Sequence, residues 1–367
     1  MMPVASRRVL VPLDLPPAAL PDGTIQTLHG ATMGTSWSAR LVTDAARLPE
    51  LHHVIQSALD DVVAQMSHWE ASSDLSRFNR ALPGTWQVLP EAFFTVLDCA
   101  IAIARDSAGA YDPTIGTLVD LWGFGPRGAQ VPVSAPPPGH AIEQARAACG
   151  WQRVTLDHAT RRAQQPGGLA LDFSSIAKGF GVDHAAQALE RAGVRSYLLE
   201  VGGELRGFGA KPDGTPWWVE LERPPVETSE ARTESHTDAC SGPQSRPLAA
   251  SRSELPAGRT PQTDIVALHG LSVATSGDYR RYFEHDGVRY AHTLDPRTGY
   301  PVQHTSSVTV LHPSCMVADA LATLLTVLGP DAAPAYAERC GLAARMLYLT
   351  PVGMRESCSP VFTAMLT

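Results

Sequence analysis

Apolar residues recur at helical spacing in three separate stretches of the chain. Over residues 49–66 they fall at every third or fourth position, and this period predicts an amphipathic helix. The same spacing over residues 91–107 predicts a second helix. The Ala- and Leu-rich segment MVADALATLLTVLG predicts a third helix that stops at Gly329 and Pro330. These helices provide apolar faces around which a core can form.

A strand–turn–helix–strand unit is predicted in the middle of the chain. Residues 168–175, GLALDFSS, have the pattern of a strand that enters a turn, and residues 176–194 have that of the following helix. SYLLEV predicts the next strand, which ends at Gly202 and Gly203. By contrast, residues 111–126, YDPTIGTLVDLWGFGP, are rich in turn residues and predict an ordered loop.

The segment YRRYFEHDGVRYAHTL predicts a β-hairpin with Asp286 and Gly287 as its two-residue loop. This register pairs Glu284 with Arg289 across the two strands. It also places one set of side chains on a shared face, namely Tyr279, Arg281, Phe283, Tyr290, His292 and Leu294.

Length and composition indicate a globular protein with two lobes or one large domain with insertions. The chain has 367 residues, of which 44% are hydrophobic and 18% charged, values typical of folded proteins. Residues 1–24 are expected to form an irregular N-terminal tail, followed by one domain over residues 25–367. Within it, residues 222–263 are rich in Pro, Ser, Thr, Glu and Arg and lack aromatics, which predicts a flexible surface insertion.

Charge and cysteine spacing exclude several classes of function. The formal net charge is −8 and no Lys/Arg cluster is longer than a pair, so nucleic acid is not an expected partner. The six cysteines are widely spaced without a C-x-x-C pair, which argues against a zinc site or a disulfide framework.

The first twenty residues contain an arginine pair before a short apolar stretch, as in a twin-arginine export signal. Asp14 and three prolines interrupt this stretch, and no run of transmembrane length is expected elsewhere. A cytoplasmic location is therefore expected, with export to the bacterial periplasm as the alternative.

Asp319 and Thr323 are four residues apart on the third predicted helix, so their oxygens point from one face. A carboxylate on an otherwise apolar helix is costly unless it is paired or bound to a metal. Mg²⁺ prefers such oxygen ligands. An exposed carboxylate beside a helix-bonded threonine is an equally weighted interpretation.

Lys178 lies in the first turns of its predicted helix, where the helix dipole disfavours a cation. Gly179 and Gly181 follow closely, and each costs roughly 1 kcal/mol within a helix. This combination suits a backbone approached by phosphates. A surface lysine with glycines that permit close helix packing is somewhat more probable from these residues alone.

Other candidates have structural alternatives of similar or greater weight. Asp172 ends a strand just before Ser174 and Ser175, either of which can cap the next helix. Asp112 precedes Pro113 in a turn, where an Asx turn is the leading interpretation. Trp69 is more often a core residue than a ligand platform. His292 is by default a half-buried histidine and, as the sharper hypothesis, a general base.

Six blocks of the chain, in this order, resemble the FAD:protein FMN transferases, the ApbE family. The blocks are GATMGTSWSARL, MSHWEASSDLSRFN, YDPTIGTLVDLWGFGP, LDFSSIAKGFGVDHAAQALERAGVRSYLLEVGGELRGFG, VATSGDYRRYFEHDGVRYAHTLDPRTGYPV and ADALATLLTVLG. The resemblance implies an α+β fold with mixed or antiparallel sheets and packed helices, forming two lobes around an FAD cleft. It implies Mg²⁺-dependent transfer of FMN from FAD to a Thr or Ser hydroxyl of a target flavoprotein, with release of AMP.

The resemblance also implies roles for individual residues. The family's FAD contacts fall on Met33, Trp69, Ala110, Tyr111, Asp112, Asp172, Lys178 and Leu294. Its metal ligands fall on Ser175, Asp319 and Thr323. We expect Lys178 to assist catalysis and His292 to accept the hydroxyl proton.

The acceptor is expected to be a separate protein with an S/T-G-A-S/T-like stretch, and a homodimer is an alternative to a monomer for the enzyme. An FAD pyrophosphatase that forms FMN and AMP is an alternative function, because it needs the same metal and FAD contacts. A non-catalytic flavin-binding protein is a second alternative.

Overall fold

The computed structural model describes residues 7–14, 20–130, 133–224, 263–277, 281–304, 306–350 and 353–367. In this part of the chain, 3-10 turns occur at Ala45–Arg47 and Trp151–Arg153. The α-helices are α1 (Leu48–Met66), α2 (Asp74–Asn79), α3 (Glu91–Asp106), α4 (Gly116–Leu121), α5 (Pro126–Gln130), α6 (Gly139–Ala148), α7 (Ala177–Arg191), α8 (Cys315–Arg339) and α9 (Pro360–Ala364).

The strands form one large sheet and several small ones. They are β1 (Arg7–Leu10), β2 (Thr24–Thr32), β3 (Thr35–Thr43), β4 (Trp86–Val88), β5 (Thr155–Asp157), β6 (Arg162–Gln164), β7 (Tyr197–Val201), β8 (Glu204–Phe208), β9 (Trp217–Glu220), β10 (Thr263–Leu268), β11 (Leu271–Gly277), β12 (Tyr282–His285), β13 (Val288–Ala291), β14 (Leu294–Asp295), β15 (Tyr300–Pro301), β16 (Ser306–His312), β17 (Ala343–Thr350) and β18 (Gly353–Cys358).

The large sheet has eight strands in the order β18-β17-β16-β11-β8-β7-β3-β2. Every neighbouring pair in it is antiparallel. Helix α7 packs against α1 and α8, and α8 packs on β11 and β16. This arrangement of antiparallel strands and packed helices confirms the predicted α+β class.

The apolar period of α1 is what attaches this helix to the core. Leu51, Ile55, Leu59, Val62 and Met66 repeat every three or four residues and are all buried. Each such burial stabilises the fold by about 1.5–3 kcal/mol. The helices predicted from the same pattern at residues 49–66 and 91–107 are confirmed by α1 and α3.

Helix α8 is the one helix of the described part of the chain that is both long and apolar enough to cross a membrane, with a mean hydropathy of 1.4. However, 61% of that apolar window is buried inside the protein, as in a core helix. Gly329, with φ 70° and ψ −174°, interrupts the helix where its end was predicted. The predicted stop of this helical segment at Gly329 is thus confirmed, and a second helical segment, which was not predicted, continues from Pro330 to Arg339.

The expectation of an irregular tail over residues 1–24 was wrong for Arg7–Leu10. These residues form β1, which pairs in parallel with β10. The Arg8 guanidinium donates to both oxygens of Asp264 at 2.6 Å, and Leu10 is fully buried. Local composition contains no sign of this strand, because its partner lies more than 250 residues away in the chain.

Two local predictions in the middle of the chain were also wrong. The expected loop at residues 111–126 contains α4, because Leu118 and Trp122 bury against a small apolar cluster. Helix α5 then begins at Pro126, since proline is well tolerated in a first helical turn. The segment GLALDFSS pairs with no strand except through one bridge, between Ala170 and Ile115.

The hairpin prediction is confirmed. Glu284 pairs with Arg289, and Asp286 and Gly287 have φ of 50° and 73°, as a two-residue type I′ turn requires. Phe283 and Tyr290 stack with ring centroids 5.0 Å apart. Tyr279 lies outside the described residues, as do residues 225–262 of the predicted insertion.

Candidate active site

The Asp319 carboxylate lies in the interface between α7 and α8. Its Oδ2 accepts a hydrogen bond of 2.9 Å from the backbone N–H of Gly179, and the residue is only 6% exposed. Burial raises the pKa of Asp319, although the Lys178 charge and the Gly179 hydrogen bond oppose the shift. The interpretation of Asp319 as an exposed carboxylate was therefore wrong.

Glycine at position 179 is what permits this close approach. A Cβ there would lie 2.3 Å from the carbonyl oxygen of Cys315 and 2.7 Å from the Asp319 Cβ. The two helices are also joined by Asp183 of α7, whose carboxylate reaches the N-terminus of α8. It accepts hydrogen bonds from the Ser314 hydroxyl at 2.7 Å and from the N–H groups of Cys315 and Met316 at 3.1 and 3.0 Å. A carboxylate is favourable at this positive helix end, and it sets the register that brings Asp319 to Gly179.

Thr323 lies one helical turn beyond Asp319 and is half-buried. Within the described ranges, no protein group forms a hydrogen bond with its hydroxyl. The Thr326 hydroxyl, in contrast, donates to the Ala322 carbonyl four residues earlier at 2.9 Å. The interpretation of Thr323 as a helix-bonded threonine is thus not supported, and its oxygen remains available to a ligand.

Ser175 lies beside Tyr111. The Ser175 hydroxyl donates to the Tyr111 oxygen at 3.0 Å. Burial is the main cause that raises the pKa of Tyr111, and the negative charges of Asp319 and Asp172 add to it. Neither Ser174 nor Ser175 caps α7, because Ser174 bonds to Asp172 instead.

The predicted ligand set fits a hard cation better than a transition metal. It offers one carboxylate and two hydroxyls, whereas no group of three His, Cys, Asp or Glu side chains suited to a metal occurs among the residues that the structure describes. Zinc favours His and Cys nitrogen and sulfur donors. Mg²⁺ accepts few protein oxygens and completes its shell with water and substrate phosphates.

Lys178 forms an ion pair that the sequence did not predict. Its Nζ lies 2.5 Å from Oε1 of Glu204, the first residue of β8. The Lys178 side chain is 31% exposed and that of Glu204 only 2%. Lys178 is thus a half-buried, paired lysine next to Gly179 and not a surface lysine.

Asp172 is held in place by Asn79, the last residue of α2, and by His68, which precedes this helix. Asn79 pairs with the backbone of Leu171, donating to its carbonyl at 2.9 Å and accepting from its N–H at 2.8 Å. This side chain takes the place of a neighbouring strand, which explains why GLALDFSS joins no sheet. Asp172 itself is 5% exposed, and His68 Nδ1 lies 3.5 Å from its Oδ2.

Trp69 is exposed on the surface of the site. Its indole is 48% exposed, and its ring centroid lies 5.3 Å from that of His68. The Ser67 hydroxyl accepts from the N–H groups of Trp69 and Glu70 at 3.2 and 3.3 Å, which fixes the turn. The interpretation of Trp69 as a core residue was wrong, and its open face suits a stacking ligand.

The structure supports the Asx-turn interpretation for Asp112. Its carboxylate accepts from the Thr114 N–H and hydroxyl at 2.8 and 2.7 Å and from the Trp151 N–H at 3.1 Å. Burial nevertheless raises its pKa. Both carboxylate oxygens of Asp112 are therefore bound by protein donors.

The remaining predicted FAD contacts surround this centre at different depths. Met33, with φ of 49°, occupies the β2–β3 turn, and its Cε would be 2.9 Å from a Cβ at Gly181. Ala110 is fully buried, and Leu294 belongs to the apolar cluster around Trp122. In the described part of the chain, no contact links Asp112 or Leu294 to Asp319.

His292 lies at the base of the β12–β13 hairpin. Its backbone N–H and its ring Nδ1 lie 3.0 and 3.1 Å from the carbonyl oxygen of Arg281. A carbonyl can only accept, so Nδ1 must carry a proton, and Nε2 is the acceptor nitrogen of the neutral ring. Burial lowers the pKa of Arg281, and the Asp172 charge opposes this shift.

Four residues that build this centre were not predicted from the sequence, namely His68, Asn79, Asp183 and Glu204. Each acts on a residue distant in the chain, and none lies at a periodic or motif position that indicates its partner. The only hint in the sequence was that such residues lie within the blocks that resemble the family, as Asn79 does at the end of SHWEASSDLSRFN.

Known proteins resemble this chain over most of its length. The ApbE family model matches residues 33–346. The FAD:protein FMN transferase of Haemophilus influenzae is 37% identical over 344 residues, which cover 92% of this chain and 90% of that protein. The FAD:protein FMN transferase of Escherichia coli K12 is 33% identical, with 95% and 92% covered.

Solved structures agree as well. The apo form of the Pseudomonas stutzeri flavinyl transferase ApbE is 34% identical and superimposes with a TM-score of 0.77, covering 93% of this chain and 96% of that one. The flavin transferase ApbE from Vibrio cholerae is 33% identical with a TM-score of 0.76, covering 93% and 100%. The match extends over nearly the whole chain in sequence and in structure, and the protein therefore belongs to the ApbE family.

Proposed function

We propose that this protein is a flavin transferase that moves FMN from FAD to a Ser or Thr hydroxyl of a target protein and releases AMP. The observation that carries the proposal is the buried Asp319 carboxylate, which meets the first turn of α7 beside Lys178. The names of the relatives supply the reaction, since they are FAD:protein FMN transferases.

The first turn of α7 favours the negative charge of a pyrophosphate. The N-cap residue Ile176 supplies no side-chain cap, the Asp319 carboxylate already accepts from the Gly179 N–H in this turn, and helix N-termini attract anions. The Lys178 ammonium adds a positive charge at the same place. These groups would neutralise charge that develops as the bond between the two phosphates breaks, which is the main requirement of phosphoryl transfer.

Ser175, Asp319 and Thr323 are the residues that would hold Mg²⁺, and they fit a cation that takes oxygen ligands. Bound there, the ion would act as a Lewis acid on phosphate oxygens. Trp69 offers an exposed ring for stacking, and Met33 covers the α7 side of the site. His292 would accept the proton of the acceptor hydroxyl through Nε2, because Nδ1 is already engaged by the Arg281 carbonyl.

The proposal is tested with purified protein, FAD, Mg²⁺ and a protein that carries an S-G-A-T stretch. AMP release and the intact mass of the acceptor are followed together. AMP with an FMN-sized mass gain on the acceptor is the expected result. AMP with free FMN and an unchanged acceptor would instead identify an FAD pyrophosphatase, and FAD binding without AMP would identify a flavin-binding protein.

A further inference from the structure

Glu204 is a buried acid with no assigned role. It begins β8 directly after the Gly202–Gly203 turn, and its side chain is 2% exposed. Its Oε1 lies 2.5 Å from Lys178 Nζ. A buried carboxylate is costly unless a cation pairs with it, so this ion pair holds both side chains in a defined geometry.

Lys178 is near a second buried carboxylate, that of Asp319. The next residue, Gly179, donates its N–H to Asp319 at 2.9 Å. The Gly202 turn packs against the lysine stem, because a Cβ there would lie 3.5 Å from Lys178 Cδ. The backbone that carries Lys178 therefore adjoins Asp319, whereas the lysine ammonium forms its hydrogen-bonded ion pair with Glu204.

We propose that Glu204 is a positioning residue that holds the Lys178 ammonium away from Asp319, so that the Asp319 carboxylate stays available to a divalent cation. This inference rests on the metal site of the proposed function. A lysine has a flexible four-carbon stem and a compact charge. Without Glu204, the ammonium would pair with the other buried carboxylate and compete with the cation for its oxygens.

The test measures cation binding directly. Mn²⁺ replaces Mg²⁺, and its binding in the presence of FAD is followed by electron paramagnetic resonance of the free ion, with FAD alone as the blank. Glu204→Gln keeps the size of the side chain and removes the charge. We expect its Mn²⁺ dissociation constant to rise roughly tenfold, within the range of coupling between close charge pairs.

A second variant separates an effect through Lys178 from direct ligation. In a Lys178→Met background no ammonium can move to Asp319, so Glu204→Gln should leave the dissociation constant unchanged. An equal weakening in both backgrounds would mean that Glu204 itself binds the ion, and the positioning role would be wrong. Glu204→Asp, which keeps the charge and shortens the reach, should give an intermediate value and serves if the glutamine variant does not fold.

Matched controls distinguish this inference from the metal site on which it rests. Glu200 lies on the other side of the same turn, where it accepts from the Gly203 N–H at 2.8 Å, and Glu200→Gln should bind Mn²⁺ like the unmodified protein. Asp319→Asn should bind more weakly than all of these. If the unmodified protein binds no better than Asp319→Asn, the metal site itself is wrong. If the unmodified protein binds Mn²⁺ better than Asp319→Asn does, and Glu204→Gln binds Mn²⁺ as well as the unmodified protein, only the role of Glu204 is wrong.

Discussion

The Asp319 carboxylate has a cost in the ligand-free protein that a bound cation would remove. Burial raises its pKa, which means that the folded protein penalises the ionised form relative to the unfolded chain. A bound cation reverses this preference. At the scale of single residues, the site therefore combines groups that are poorly satisfied by the protein alone, such as Asp319 and the Thr323 hydroxyl.

Asp319→Asn should separate stability from activity. Removal of the buried charge should raise the melting temperature of the metal-free protein, while Mg²⁺-dependent AMP release is lost. Mg²⁺ and FAD together should raise the melting temperature of the unmodified protein by ligand linkage, and this rise should be smaller in the variant. Thermal denaturation with and without both ligands measures this, and full Mg²⁺-dependent turnover of the variant would contradict the metal assignment.

Trp69→Ala should weaken FAD binding with little effect on stability. The indole is 48% exposed, so its removal leaves no cavity, whereas loss of a stacked base costs roughly 1–3 kcal/mol. We expect KM for FAD to rise by about tenfold or more and kcat to change less. Trp86, which is 40% exposed on β4, is the matched control, because Trp86→Ala should leave KM unchanged. An unaltered KM in Trp69→Ala would exclude the stacking role.

At the scale of helices and strands, the site depends on the contact between α7 and α8. Gly179 allows the helices to approach, and Asp183 anchors the N-terminus of α8. Neither residue needs to touch a substrate to affect the reaction. Their effect is to place an oxygen of α8 against the first turn of α7.

Gly179→Ala and Gly181→Ala should differ, although both add one methyl group to the same helix. At Gly179 the new Cβ would lie 2.3 Å from backbone oxygen of Cys315, whereas at Gly181 it would lie 2.9 Å from the flexible end of Met33. The first change should destabilise the protein by about 1–3 kcal/mol through overpacking and reduce Mg²⁺ affinity. The second should cost less, as judged by urea denaturation and Mg²⁺ titration of activity. Equal effects would mean that the helix contact does not control the site.

At the scale of the whole molecule, a buried charge cluster joins segments that are distant in the chain. Asp264 and Arg345 are both fully buried, and Arg8 of β1 donates to Asp264 as well. Arg345 Nη2 also bonds to the carbonyl of Glu222. The cluster therefore ties the N-terminal strand, β10 and β17 together and fastens both ends of the segment between residues 224 and 263.

Acidic pH should lower the free energy of unfolding because it protonates Asp264. Burial opposes ionisation, but the hydrogen bonds and charges of Arg8 and Arg345 outweigh it, and the net pKa of Asp264 is lowered. A depressed folded pKa stabilises the protein above the unfolded value of about 3.9, and this contribution is lost as the pH falls below it towards the folded pKa. Asp264→Asn should cost about 3–5 kcal/mol at neutral pH, because it leaves Arg345 uncompensated.

The free energy of unfolding measured by urea between pH 3 and 7 tests this expectation. The unmodified protein should lose stability below about pH 4 more steeply than Asp264→Asn. Asp61→Asn, which removes an exposed carboxylate on α1, should follow the unmodified protein. Parallel curves for Asp264→Asn and the unmodified protein would show that this cluster does not produce the acid sensitivity.

Local patterns were sufficient for the elements whose signal lies within a few residues. The period of α1, the Asp286–Gly287 turn with its register, and the spacing of Asp319 and Thr323 all follow from backbone geometry. The order of the six blocks was sufficient to indicate the family. In each case the physical cause, a helical period or a turn conformation, is determined by neighbouring residues.

Only the tertiary structure decided which of the open interpretations holds at each polar residue. Whether Asp319 is buried, whether Lys178 has a partner and whether Trp69 is exposed depend on residues far away in the chain. The same is true of β1, which exists because Asp264 and β10 lie beside it. Burial and ion pairing depend on how distant segments of the chain pack together. A local sequence pattern does not state how far apart two segments lie in the folded protein.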